Sequence, residues 1–415
     1  MSISRREFVS GAVAVGIAAS PAGALAGVHQ DKPTLKIGLI GCGGRGSGAI
    51  RDNLSADKGA VVWAMGDLFE DRPNGASDAL AKDVGKQYQV GDRKFTGFDA
   101  YKKVIASGVD VVILATPPGF RPPMLRQAVE AGKHVFMEKP VAVDAPGIRS
   151  VIESGEMAKK KGLTIVSGTQ RRHDLAYLDC IKRIKDGAIG DVVALNCYWN
   201  QGGLWSVAKT DKMTDTEWMI RNWLYFTWLS GDHIVEQHIH NLDVCNWVMG
   251  SHPISAMSLA GRQVRTDPIY GNIFDHFATE YEYANGVKLV SMCRQIDGCD
   301  SRVAEHVVGS KGTSNANTQI KGPNKWRWEG DRPNPYVLEH VRLYKSIRSS
   351  EGYNEARQVA ESTFTAIMGR MAAYSGQVVE WDSAIASTET ITPAKIEFGP
   401  MAVAPVAMPG QSPKK

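Results

Sequence analysis

Residues Leu35 to Gly46 read LKIGLIGCGGRG, and this stretch decides the fold. Ile37, Leu39 and Ile40 predict a short strand that enters three glycines spaced G-x-G-x-x-G, at Gly41, Gly43 and Gly46. A helix-compatible segment, Ser47 to Leu54, follows. In such a turn the first glycine bends the chain, the second lets a pyrophosphate approach the backbone, and the third allows close packing of helix on strand. The helix N-terminus then presents unpaired N–H groups to the phosphates. Gly44 and Arg45 lie inside the same turn and belong to the expected cofactor site.

About twenty residues further on, the apolar run Val61 to Met65 ends in Gly66 and Asp67, where this kind of fold places the acid that binds a ribose 2′-hydroxyl. Leu68 follows, and no arginine stands beside Asp67 to hold a 2′-phosphate. The expected cofactor is therefore NAD, with Arg45 and Arg72 leaving NADP open.

The 415 residues carry a net charge of +4, which gives no general signal for a polyanion, and no basic arm with interleaved aromatics predicts a nucleic-acid partner. The length suggests two domains. At the N-terminus, Ser4 to Val9 is a twin-arginine pattern, followed by an apolar stretch to Ala26 with an A-x-A site at Ala24 to Ala26. Residues 1–26 are thus expected to be a cleaved signal peptide. Export to the periplasm or beyond, with no stable membrane insertion after cleavage, is the matching location. Six cysteines remain, without C-x-x-C or zinc spacing. Mostly free, buried thiols are expected, and Cys293 with Cys299 is the pair to test.

From residue 35 to 162 apolar strands alternate with helices, the pattern of a doubly wound parallel Rossmann sheet. Val109 to Ala115 is a fully apolar strand, and Thr116 and Pro117 lie at its carboxyl end, where ligands bind in open parallel sheets. His134 to Met137 delivers Glu138, Lys139 and Pro140 to the same edge. Residues 163–392 read differently. Val192 to Trp199 alternates, and Phe274 to Tyr283 and Val287 to Arg294 flank Asn285 and Gly286, a hairpin signal. This part is expected to be an α/β domain on a mostly antiparallel, open sheet, able to form a homodimer or homotetramer through its uncovered face. Residues 393–415 read as an extended or disordered tail.

Five segments together make the sequence similar to the Gfo/Idh/MocA oxidoreductase family, over residues 35 to about 387. They are the glycine turn, ATPPGFR at Ala115 to Arg121, AGKHVFMEKP at Ala131 to Pro140, GTQRR at Gly168 to Arg172, and GDHIVEQHIHNLDVCNWVMG at Gly231 to Gly250. The resemblance implies that Lys139 hydrogen-bonds the sugar hydroxyl being oxidised, next to a proline whose preceding peptide is often cis. A lysine partly desolvated beside a cationic nicotinamide is expected to have a lowered pKa. Glu138 and Gln170 are implied to border the cofactor, and Arg171 the substrate. Arg121 stands where many members have histidine, so it is a candidate contact to cofactor or acidic substrate.

On one helix, Glu236, His240 and Asp243 would project from a common face. The resemblance makes His240 an acid/base partner or hydroxyl clamp and Glu236 a substrate-positioning carboxylate. Glu236 is one methylene longer than the family's usual aspartate, a displacement of about 1 to 1.5 Å. Asp243 is a candidate to bind substrate or orient His240. His233, His238, His240 and Glu236 could instead ligate a metal, but a buried polar network is the plainer account, and no metal is expected. Trp199, Trp205, Trp218, Trp223, Tyr225 and Trp228 are candidates for stacking on a sugar, with one or two expected in the pocket.

The function implied is hydride transfer between a carbohydrate or polyol carbon and a tightly held nicotinamide. Two alternatives stay open. One is redox-neutral glycoside cleavage or epimerisation through a transient keto-sugar, and the other a non-catalytic sugar-binding protein.

Overall fold

The structure, a computed structural model, describes residues 33–411. The twin-arginine stretch lies outside the described residues. Six parallel strands form the first sheet: β1 (Leu35–Ile40), β2 (Ala60–Asp67), β3 (Lys94–Thr96), β4 (Val111–Leu114), β5 (His134–Met137) and β6 (Ile165–Ser167). Their order is β3-β2-β1-β4-β5-β6. The direction of winding reverses between β1 and β4, so a crevice opens at the carboxyl ends of those two strands. Helices cover both faces, and Val111 to Leu114 are accordingly all buried.

The second sheet contains β7 (Val192–Gln201), β8 (Ser255–Gly261), β9 (His276–Glu282), β10 (Lys288–Gln295), β11 (Arg302–Gly309), β12 (Gly312–Ser314), β13 (Gln319–Lys321), β14 (Trp326–Arg327) and β15 (Val379–Glu380). It runs β14-β13-β12-β11-β7-β10-β9-β8-β15, with β7 and β10 the single parallel pair. The Asn285–Gly286 turn joins β9 and β10, which pair antiparallel from Lys288 opposite Glu282 to Arg294 opposite His276. Helices Ile239–Met249 and Ala356–Ser375 bury one face. The other presents Leu259 (78% exposed), Met257, Met292 and Val303.

One helix packs against the first sheet's glycine-turn helix in a way the sequence reading missed. Pro335–Ser349 packs along the glycine-turn helix, Gly44–Ala56. His340 Nδ1 meets Asn53 Nδ2 at 3.2 Å, Tyr344 donates to Asn53 Oδ1 at 2.5 Å, and Arg348 pairs with Asp57 at 2.5 Å. Its start signal was present, since Asn334 accepts from the Tyr336 N–H and Pro335 occupies the first position.

Residues 386–411 contain no helix or strand, yet the segment is tied down. Ile391 N–H donates to Asp144, Met401 N–H to Asp215, and Gly410 N–H to the Ser375 carbonyl. The tail is therefore a strap as far as residue 411. All six cysteines are free, Cys293 buried and Cys299 exposed, so the pair singled out from sequence is not bridged. Among the described residues no helix is long and apolar enough to cross a membrane.

Candidate active site

The three glycines of the turn differ in what a Cβ would meet, and the differences define their jobs. At Gly41, with φ of +94°, it would come within 2.6 Å of the Ala115 backbone; at Gly46 it would overlap the Gly41 carbonyl oxygen. Those two shape the turn and seat the helix on the strand. At Gly43 and Gly44 it would meet nothing within 4 Å, because both face an open cleft. The cleft, of about 480 Å³, is lined by Gly41, Gly43, Gly44, Arg45, Gly46, Asp67, Thr116 and Pro117 among others. That volume lies in the range of cofactor sites.

Asp67 is fixed at the end of β2. Its Oδ2 accepts from Cys42 N–H at 2.7 Å and its Oδ1 from Phe69 N–H at 3.1 Å. Burial raises its pKa, and the backbone donors oppose that rise. Each oxygen keeps a lone pair for a further donor such as a ribose hydroxyl. Open glycines at a helix N-terminus and a fixed carboxylate opposite are what a dinucleotide needs, so the residues present fit the group.

Beyond the cleft lies the ionisable cluster. Lys139 stands two residues beyond the end of β5 and precedes a cis Lys139–Pro140 peptide. Its Nζ donates to the Glu236 carbonyl oxygen at 2.6 Å and to Glu236 Oε1 at 2.9 Å, and both side chains are mostly buried. The carbonyl is available because the helix is interrupted. Residues His233–Glu236 and Ile239–Met249 are separate helices, and the His240 N–H turns to the Gln237 carbonyl instead of that of Glu236. The expectation of one continuous helix displaying three side chains is thus corrected, and the break is what lets Lys139 bind main chain and side chain of the same residue.

His240 is buried, with its ring stacked 5.7 Å from that of Trp199. Its pKa falls well below the ordinary value, first through burial, then through the cations Lys139, Arg171 and Arg45. The imidazole is therefore neutral at neutral pH.

Other candidates turn elsewhere. Asp243 does not reach this cluster. Its carboxylate takes a two-pronged contact from Arg172 (2.9 Å to each oxygen at closest), together with Ser362 at 2.7 Å and Gln358 at 3.2 Å. With its acceptors so occupied, it is a packing anchor, and the substrate-binding role read from sequence is withdrawn. Arg171 pairs with Glu305 and lies 5.7 Å from the Trp199 ring, beside His240 but already ion-paired. Gln170 donates to Tyr336 at 3.2 Å, and neither it, Glu138 nor Lys139 lines the cleft. Glu138 instead holds Arg45 at 2.5 Å. His238 pairs with Ser291 Oγ at 2.7 Å, and His233 meets the Phe277 ring edge-on, so the histidines do not converge. Of the aromatics, Trp205 and Trp223 line the cleft, Trp199 faces His240, and Trp218, Tyr225 and Trp228 are core.

Arg121 is fully buried and contacts no open space. Its Nη1 donates to the Glu138 carbonyl at 2.9 Å and to that of Pro140. Burial holds its pKa down to about 10. It grips the backbone on both sides of Lys139, which corrects the reading of Arg121 as a ligand contact. Arg121→Ala is expected to cost roughly 3 kcal/mol or more by leaving a cavity and two unpaired carbonyls. Urea unfolding checks this, and unchanged stability would contradict the assignment.

Strand order, glycine turn and fixed acid define a dinucleotide-binding fold, and sequence comparison places it more narrowly. Residues 35–169 match the oxidoreductase family with an NAD-binding Rossmann fold, and residues 177–315 match the GFO/IDH/MocA C-terminal domain. The chain belongs to the Gfo/Idh/MocA family of NAD-binding oxidoreductases. It is 30% identical to an inositol 2-dehydrogenase of Azotobacter vinelandii over 50% of this chain and 57% of that protein. It is also 30% identical to one of Burkholderia cenocepacia over 62% of this chain and 66% of that one. The matched regions thus cover less than two thirds of these relatives. Among solved structures, the aldose-aldose oxidoreductase of Caulobacter crescentus superposes with a TM-score of 0.66 at 18% identity, covering 84% of this chain and all of that one. The WlbA dehydrogenase of Bordetella pertussis, solved with NADH and UDP-GlcNAcA, gives 0.65 at 18% identity, covering 84% of this chain and 99% of that one. At that identity these likenesses speak for the fold.

Proposed function

We propose that this chain is an NAD-dependent oxidoreductase acting on a CH–OH group of a carbohydrate or polyol. The observation that carries the reading is Lys139, presented after β5 and held by the carbonyl oxygen and one carboxylate oxygen of Glu236, with neutral His240 alongside. The relatives described as inositol dehydrogenases and a sugar oxidoreductase favour this substrate class. When bound, the nicotinamide supplies a hydride acceptor. Neutral His240 can take the hydroxyl proton at a ring nitrogen while the Lys139 ammonium steadies the developing alkoxide. Glu236 orients Lys139 and keeps one oxygen for a second substrate hydroxyl. Incubating the chain with NAD and a panel of inositols and aldoses, and reading absorbance of reduced nicotinamide, tests this; no product with any member would count against it.

A cofactor retained between the glycine turn and the side chains of Trp205 and Trp223 would also suit the redox-neutral alternative, in which the hydride returns to the same sugar. Product analysis separates the two: an altered sugar without net reduced nicotinamide supports the alternative. Export by the twin-arginine stretch belongs to the same proposal, since that route carries proteins folded around their cofactor. Detection of the mature chain in an extracytoplasmic fraction tests it.

Two further outcomes are expected. Because protonation of His240 is pushed below its ordinary value of 6.5, the rate should stay flat as pH falls through 6.5. An acid limb centred there and abolished in His240→Gln would contradict this. The sheet face around Leu259 and Met257 exposes apolar side chains, and a homo-oligomer is the proposed cover. Leu259→Asp should then shift sedimentation towards monomer, whereas a wild-type monomer at micromolar concentration would remove the idea.

A further inference from the structure

The cleft has a roof as well as a floor. Trp205, Val207, Ile220, Arg221 and Trp223 line it from the segment that follows β7, opposite the glycine turn. Trp205 and Trp223 meet edge to face at 6.4 Å. Arg221 forks onto Asp71 at 2.9 and 3.2 Å, and its guanidinium lies 3.8 Å over the Phe69 ring. Both partners belong to the stretch just after Asp67. The roof is thereby fastened to the wall that carries the ribose-binding acid.

A second fastening comes from the strap. Phe398 stacks on Phe69 at 6.1 Å and leans on Phe98 at 5.1 Å. Three residues along, Met401 N–H donates to Asp215 at 3.0 Å, and Thr216 donates from N–H and hydroxyl to the Gly399 carbonyl. Residues 396–401 thus join wall residues Phe69 and Phe98 to helix Asp215–Arg221, the roof element.

We propose that Trp205, Trp223 and Arg221 are dinucleotide-binding residues that close over the adenosine half, and that residues 396–401 hold this roof shut so that bound cofactor exchanges slowly. The proposal rests on the reading of the cleft as the NAD site. Indole faces suit an adenine ring, and a guanidinium at the edge suits its sugar-phosphate. Departure of the nucleotide requires the roof to lift from Phe69. An exposed ion pair such as Arg221–Asp71 resists that weakly, so the aromatic strap contacts provide most of the resistance.

Energy transfer from tryptophan to NADH on the full chain reads association and dissociation separately. Phe398→Ala should release NADH about tenfold faster with association also quickened, so that the rates change more than the affinity, whereas Arg221→Ala, which removes a contact to the nucleotide, should release it about tenfold faster with association unchanged and so lose affinity. Release within about twofold of wild type in both would overturn the strap. Should either variant misfold, wild-type hydrogen exchange decides: NADH should slow exchange at 205–223 and 396–401, and unchanged exchange there would overturn the proposal. A wild-type chain that binds no NADH overturns the cleft reading and the strap together, whereas binding with unaltered exchange overturns the strap alone.

Discussion

Lys139→Met is expected to lower kcat by about three orders of magnitude while leaving NAD affinity within a few fold of wild type. The size follows from what the ammonium does. It is the cation placed by a buried scaffold at the carboxyl edge of the sheet, gripped by the Glu236 carbonyl and carboxylate, and no other lysine is put there by the strands β4 and β5. Removing it takes the electrostatic support from the alkoxide and also leaves the Glu236 carboxylate without its lysine partner. Cofactor binding should survive because Lys139 lies outside the lining of the cleft. The check is a substrate-saturated rate together with a nucleotide titration on the same preparation. A variant that retains a tenth of the wild-type rate would remove Lys139 from the chemistry, and one that loses NAD binding would move it into the cofactor site.

The second large effect separates two glycines only three residues apart. Gly46→Ala would drive a methyl into the Gly41 carbonyl, backbone against backbone, with the Ala115 side chain 3.3 Å away on the other side. Nothing there can yield cheaply, so the unliganded protein should lose about 3 kcal/mol or more, read as a fall in urea midpoint. Gly43→Ala meets nothing within 4 Å and should leave that midpoint unchanged. Its methyl would instead stand where the pyrophosphate approaches, and NAD affinity should fall by about a hundredfold, some 2.7 kcal/mol. Equal stability losses in the two variants, or full NAD binding by Gly43→Ala, would show that the turn is merely structural.

Five of the six strands of the first sheet could be read from the chain because they are short and apolar, and because steric need alone puts glycine at 41 and 46, whereas the edge strand β3, Lys94–Thr96, escaped because two of its three side chains are polar and exposed. The hairpin at Asn285–Gly286 was legible for the same local reason. What escaped were features decided by distant packing. The break after Glu236 leaves no mark in a sequence whose histidines and hydrophobic residues keep helical spacing through it, and with the break went the idea that Glu236 shares one helical face with His240 and Asp243. Arg121 resembles a ligand-binding arginine until its carbonyl partners on either side of Lys139 are seen, 17 and 19 residues away. Helix Pro335–Ser349 carries good capping signals, yet nothing local says that it returns to the glycine-turn helix through Asn53 and Asp57. The roof of the cleft is of the same kind. A cluster of tryptophans suggested a pocket, but which of them face it depends on Arg221 reaching Asp71 across 150 residues.

The claim on which all of this depends is that one dinucleotide lies in the cleft between the glycine turn and the roof. Native mass spectrometry of the full chain, before and after addition of NAD, measures this directly. The account predicts one NAD per subunit in wild type, carried through purification or taken up on addition, and its loss in Gly43→Ala. A wild-type chain that stays bare in excess NAD, or a Gly43→Ala chain that holds it as firmly, would contradict the account at its base.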